Sequence, residues 1–140
     1  SEDLRPGILD DFGLSAALEW QTEEFQKRTG MECKTSVPPE ELDLNKEKST
    51  NLFRIVQESL TNVIRHADAT KVEINLNEND GVLFLEVVDN GKGITDAAII
   101  NPKSFGLIGI RERVHSLGGE VNIAGTPMEG TRLTVKMPIS

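Results

Sequence analysis

Asp89-Asn90-Gly91-Lys92-Gly93-Ile94 follows directly on the apolar run Val82-Leu83-Phe84-Leu85-Glu86-Val87-Val88, and this junction decides the reading of the fold. A carboxylate closes a strand, and two glycines one residue apart come next. Where side chains are missing another molecule can lie on the backbone, and glycine also reaches the positive φ of a tight turn. The carboxylate can accept a hydrogen bond from an amino group on that molecule. For the segment alone two readings are open, a ligand loop or a β-turn built on Asn90-Gly91. The two familiar phosphate loops fail on spacing. A Walker A loop needs Lys followed by Ser or Thr, whereas Gly93 follows Lys92; a dinucleotide fingerprint needs a third glycine where Asp96 stands.

Upstream, Leu52 to His66 has the pattern of an amphipathic helix. At ~100° per residue, Leu52, Phe53, Val56, Leu60, Val63 and Ile64 fall on one apolar arc facing a core. Glu58, Asn62, Arg65 and His66 form a narrow stripe on the opposite side. Solvated polar residues would satisfy that pattern. So would a site, since a carboxylate, an amide oxygen and a guanidinium in register can hold a hard metal ion and meet a phosphate.

Downstream, Ser104-Phe105-Gly106-Leu107-Ile108-Gly109-Ile110 leads into a segment with Leu107, Ile110, Val114 and Leu117 at helical spacing, stopped by Gly118-Gly119. Gly106 and Gly109 therefore sit at a helix start, where unpaired N–H groups and the positive dipole end suit an anion. Glycines for close packing give the same pattern. Gly125-Thr126-Pro127-Met128-Glu129-Gly130-Thr131 reads as a hairpin loop between two strands.

The order of these four elements is more specific than any one of them. It resembles the ATP-binding domain of histidine kinases, in the superfamily that also holds type II topoisomerases, a heat-shock chaperone family and mismatch-repair ATPases. Gln57–His66 resembles its N box, Asp89–Ile94 its first glycine box, Gly106–Gly109 the second and Gly125–Thr131 the last. The N-terminal Leu4–Leu14 resembles the junction that precedes this domain in nitrate-sensor-like kinases. That subfamily also has a Glu one turn before the N-box Asn, as Glu58 precedes Asn62, and a short lid, as in Thr95–Phe105.

Composition agrees. One domain of 140 residues is long enough for a core, with residues 1–13 expected as a linker from a phospho-acceptor helix and 14–140 as the catalytic domain. A net charge of −8 argues against nucleic acid or an anionic membrane surface as partner. No apolar stretch approaches a membrane span and no signal peptide is visible, so a cytoplasmic domain is expected, whether or not its parent is anchored. Cys33 alone makes no internal disulfide.

The expected layout is helix 14–28, strand 31–36, helix 46–66, strands 71–77 and 81–88, helix 107–117 and strands 120–124 and 132–137. Helices interspersed with hairpin-connected strands indicate an α/β two-layer sandwich: a mixed, largely antiparallel sheet with helices on one face.

The resemblance implies a role for each residue. Asp89 accepts the adenine amino group, selecting ATP over GTP. Gly91 and Gly93, with Ile94, give the base and ribose access to the backbone. Asn62 binds Mg²⁺ through its side-chain oxygen, and Arg65 and His66 reach phosphate or sugar. Gly106, Leu107 and Gly109 cradle phosphates; Gly130 and Thr131 support the adenine end. Glu58 activates water in the superfamily's ATPases and is expected to support metal or acceptor here. Neither His66 nor His115 lies in a phospho-acceptor context. The implied acceptor histidine therefore belongs to a helical domain before Ser1, with a response regulator further down the relay. A monomer with little autophosphorylation is expected. Two alternatives are a free-standing anti-sigma-type serine kinase and a non-catalytic docking module of the same fold.

Overall fold

The computed structural model describes residues 6–101 and 106–140. Residues 1–5 of the N-terminal junction and residues 102–105 of the lid, including Ser104 and Phe105, lie outside them.

Burial alternates along the strands that build the sheet. Leu83, Leu85, Val87 and Asp89 point inward along β3 (Val82–Asp89), which is apolar on both faces. Leu133, Val135 and Met137 do so on β5 (Gly130–Pro138), where polar residues alternate with them. With β1 (Glu32–Ser36), β2 (Lys71–Asn79) and β4 (Glu120–Thr126) they form a five-stranded sheet ordered β1-β2-β3-β5-β4. Only the β1–β2 pairing is parallel; the others are antiparallel. The inward face packs on α1 (Gly7–Thr29), α2 (Lys46–Asn62) and α4 (Leu107–Ser116), through side chains such as Phe25, Ile55, Ile74, Leu85 and Ile110. The outward face carries polar pairs such as Asn75 with Glu86 and Arg132 with Glu86. The two-layer α/β expectation therefore holds.

α2 begins where Asn45 Oδ1 accepts the Lys48 N–H at 2.8 Å, a side-chain cap for one of the helix's orphan donors. Its end departs from the expected helix to His66. After Asn62 the backbone widens into a π-helical turn, Val63–Ala67, closed by Asp68 at φ 53°. Ile64, expected in the core, falls at the far edge of the apolar arc, ~120° from Leu52 at ~100° per residue, and is 46% exposed. Ile55 and Ser59, on the other side of that arc, fill the inward face.

Two further differences concern helices. Helical structure starts at Gly7, not Leu14, and Leu9 is buried in the core. Gly13 breaks the helix with φ 86°, and the Glu41 carboxylate occupies the space a side chain there would need. Within the lid a short helix, α3 (Asp96–Ile100), starts at Thr95, whose hydroxyl accepts the Ala98 N–H at 3.1 Å.

Candidate nucleotide site

The inward row of β3 ends on a carboxylate instead of another apolar chain. Asp89 is 8% exposed, and its Oδ1 accepts the Gly91 N–H at 2.8 Å. Burial pushes its carboxyl above the usual 3.8, and backbone donors at Gly91 and Thr131 pull partly the other way. The chain then turns at the end of this central strand, held by Asn90. Its Oδ1 accepts both the Thr70 and Lys71 N–H groups at 3.0 Å, and its Nδ2 donates to Thr70 Oγ1 at 3.0 Å. The loop is therefore pinned to the start of β2 and runs on towards α3, so it does not close a hairpin.

The β4–β5 hairpin supports this loop from the other side. Thr131 Oγ1 accepts the Ile94 N–H at 2.9 Å, and Met128 N–H donates to the Lys92 carbonyl at 2.7 Å. Glycines allow the close approach. The Thr126 carbonyl takes the place of a side chain on Gly93, the Ile94 backbone does so on Gly125, and the Asp89 carbonyl does so on Gly130. The space at these three glycines is thus filled by the protein's own backbone. The missing Cβ of Gly93 thereby seats the loop on the hairpin.

A cavity of about 460 Å³ opens above Asp89, within the range of roughly 300–1,000 Å³ usual for small-molecule sites. Val87, Ile123 and Leu133 continue the apolar inner surface of the sheet into it. Ser59, Asn62, Val63 and His66 contribute from α2 and the π turn, Leu107 from α4, and Lys92, Ile94, Thr95 and Ala98 from the loop and lid. Ser59 is buried and donates to the Ile55 carbonyl at 2.8 Å, so its hydroxyl is already satisfied. Desolvation, then the Arg65 and Lys92 charges, lower the His66 pKa.

α4 reaches the same cavity through its N-terminus. Gly106 caps the helix at φ 66°, and a Cβ there would stand 3.5 Å from Asn62 Oδ1. The amide oxygen and the helix start are therefore neighbours. One turn back along α2, Glu58 Oε1 accepts from Arg113 Nε at 2.9 Å, and Arg113 Nη1 donates to Asn51 Oδ1 at 3.2 Å. Glu58 Oε2 is buried without a hydrogen-bond partner among the described residues, beside Gly109, where a Cβ would come within 2.9 Å. Gly109 thus leaves room for the Glu58 carboxylate.

Of the expected site residues, Asn62, His66, Asp89, Gly93, Ile94, Leu107 and Thr131 line the cavity. Glu58, Gly91, Gly109 and Gly130 are not among the lining residues, Gly106 borders Asn62, and Arg65 is exposed on the π turn. Sequence reasoning missed Asn90, Lys92, Met128 and the apolar floor. Strand parity carries a signal for Val87 and Leu133, which share a face with Asp89 and Thr131; no local pattern marks Met128.

The donor set fits a nucleotide. A buried carboxylate in the cavity wall suits a base bearing an amino group. No group of three or more His, Cys, Asp or Glu that could cage a metal occurs among the described residues. Mg²⁺ on a nucleotide needs none, because it keeps several waters and takes only one or two protein oxygens beside the phosphates. Asn62 Oδ1 next to the helix start can supply one.

Residues 47–140 match the family model described as histidine kinase-, DNA gyrase B-, and HSP90-like ATPase. The chain belongs to this family. As a histidine kinase-like ATPase it carries the ATP-binding domain of the family, and the matched span runs from the first turn of α2 through β5. It is 35% identical over 136 residues to the sensor histidine kinase LiaS of Bacillus subtilis, an alignment that covers 97% of this chain and 37% of LiaS. The chain thus spans well under half the length of this relative. In fold, the histidine kinase domain of the Erythrobacter litoralis EL346 blue-light activated kinase is similar, with a TM-score of 0.78 at 24% identity, over 90% of this chain and 61% of that one. The Acinetobacter baumannii histidine kinase AdeS gives 0.74 at 15%, over 96% of this chain and 73% of the other. Among the described residues, no helix of this histidine kinase-like ATPase is long and apolar enough to cross a membrane.

Proposed function

We propose that this chain is the catalytic domain of a sensor histidine kinase. It binds Mg-ATP, and the γ-phosphate goes to a histidine on a helical dimerisation domain of the parent, for relay to a response regulator. The observation that carries the reading is the buried Asp89 carboxylate in the wall of a cavity that Asn62, next to the α4 N-terminus, and Leu107 also line. Residues 14–140 form the catalytic unit and residues before them lead to the acceptor helices.

Asp89 accepts the exocyclic amine of adenine, and the apolar floor flanks the ring. GTP offers a carbonyl at that position, so its oxygen faces a carboxylate. Losing such a buried hydrogen bond costs about 1–3 kcal/mol. Asn62 holds Mg²⁺ through Oδ1, and the metal, when bound, neutralises charge on the phosphates. His66, and Arg65 from the π turn, meet phosphate, and the first N–H groups of α4 receive the remaining negative charge. Glu58, held by Arg113, stands behind Asn62 in a supporting role. The 97% coverage in the LiaS alignment includes α1, which supports the sensor-kinase reading over a free-standing serine kinase.

The test supplies the acceptor helices of the parent kinase with Mg-ATP and this chain. Acid-labile phosphate on their histidine, absent with Asp89→Asn, is expected. Stable phosphoserine on another protein, or no transfer despite tight ATP binding, would contradict the reading.

A further inference from the structure

The hairpin tip beside the nucleotide cavity carries a residue that its backbone disfavours. In Thr126-Pro127-Met128-Glu129 the Glu129 N–H donates to the Thr126 carbonyl at 2.9 Å, and Met128 has φ 66°. Proline fixes its own φ near −65°, which rules out the type I′ turn and leaves type II, whose third residue takes positive φ and is normally glycine. A methionine there puts a Cβ into the left-handed region, where an unbranched apolar side chain has no local hydrogen bond to compensate.

Packing within the protein does not offset this cost. Met128 is 81% exposed, the most exposed of the large hydrophobic residues among those described. It nevertheless borders the cavity together with Asp89, Lys92, Gly93 and Thr131, and its own N–H is held by the Lys92 carbonyl at 2.7 Å. The backbone is thus fixed at a point from which the side chain stands at the cavity's edge. A thioether on a flexible stem adapts to a planar ring and packs well against it.

We propose that Met128 is a nucleotide-contacting residue, covering the base at the Asp89 end of the cavity, so that the ligand supplies the packing its side chain lacks. The proposal rests on the ATP-site reading above. Nucleotide binding then buries Met128, and the strained turn is the cost of presenting it.

The test combines thermal unfolding with calorimetric titration by ATP and ADP, on the whole chain and on Met128→Gly, Met128→Asn and Met128→Leu. Gly and Asn both tolerate positive φ and both remove the cover. Each should raise the Tm, by roughly 2–5 °C for Gly, and each should weaken ATP and ADP alike by about three- to tenfold. Leu keeps bulk and strain, so its affinity and Tm should stay near those of the native chain. Native affinity in Met128→Gly, or loss in Gly but not in Asn, would overturn the assignment; so would a fall in Tm with Gly. If the native chain binds neither nucleotide, the site reading itself fails and takes this proposal with it. If the native chain binds and the Gly variant binds equally well, only the role of Met128 fails.

Discussion

Arg113 Nε lies 2.9 Å from Glu58 Oε1 and ties α4 to the helix that carries Asn62. The pair is half-exposed, so its Coulomb gain alone is worth at most about 1 kcal/mol. Arg113 also reaches Asn51, and Glu58 Oε2 is buried. Removing the arginine therefore leaves part of a carboxylate away from water with no partner. Arg113→Ala should lower stability by about 1–2 kcal/mol in chemical unfolding. Adding Glu58→Gln should recover part of that loss. Strictly additive effects in the double-mutant cycle would show that the two side chains do not act together.

Asp89 gives stability a pH dependence of a definite sign. Its folded pKa is raised by burial above the usual 3.8. Across that interval the folded chain keeps a proton that the unfolded chain has released, so stability falls as pH rises through the window and stays lower above it. Asp89→Asn lacks the effect. From about pH 4 upward the Tm of Asp89→Asn should therefore gain on that of the native chain. A gap that narrows with rising pH would mean that the buried carboxylate is stabilised as an anion.

The glycines of the last box hold the first box in place. A Cβ on Gly125 collides with the Ile94 backbone, and neither segment is a flexible side chain that could step aside. Gly125→Ala should cost about 2 kcal/mol or more and should also weaken ATP binding, because the loop carrying Ile94 must move. A variant with native Tm and affinity would show that the hairpin does not hold the loop.

Burial predicts a contrast between two isoleucines, one in α2 and one in the π turn that follows it. Ile64 is 46% exposed and Ile55 is fully buried. Ile64→Ser should change stability by less than about 0.5 kcal/mol, whereas Ile55→Ala should cost about 2–5 kcal/mol. Equal losses in denaturant unfolding would return Ile64 to the core.

How far the sequence could be read depends on how local each cause is. Because β3 is apolar on both faces, which way Asp89 points follows only from its register opposite Val72. Alternation in β2 and β5 does put Val72, Ile74, Leu133 and Val135 on the core face. The helical spacing of Leu107, Ile110 and Val114 likewise locates the start of α4. A missing side chain, by contrast, does not say what fills the space. Gly93 and Gly130 belong to the expected site, and backbone from elsewhere in the chain fills the space a Cβ would need at each, a packing reason that no local window shows. The π turn is invisible because Val63–Ala67 has the same residue types an α-helix would use. The Arg113–Glu58 pair joins positions 55 residues apart, so no local window contains it.

The measurement that bears most directly on the account is a calorimetric titration of the chain with ATP, with and without Mg²⁺, beside GTP and Asp89→Asn. Magnesium-assisted ATP binding that GTP does not match and Asp89→Asn abolishes is the expected result. Equal affinity for ATP and GTP, or binding that survives Asp89→Asn, would contradict it, because the buried carboxylate would then not be reading the base.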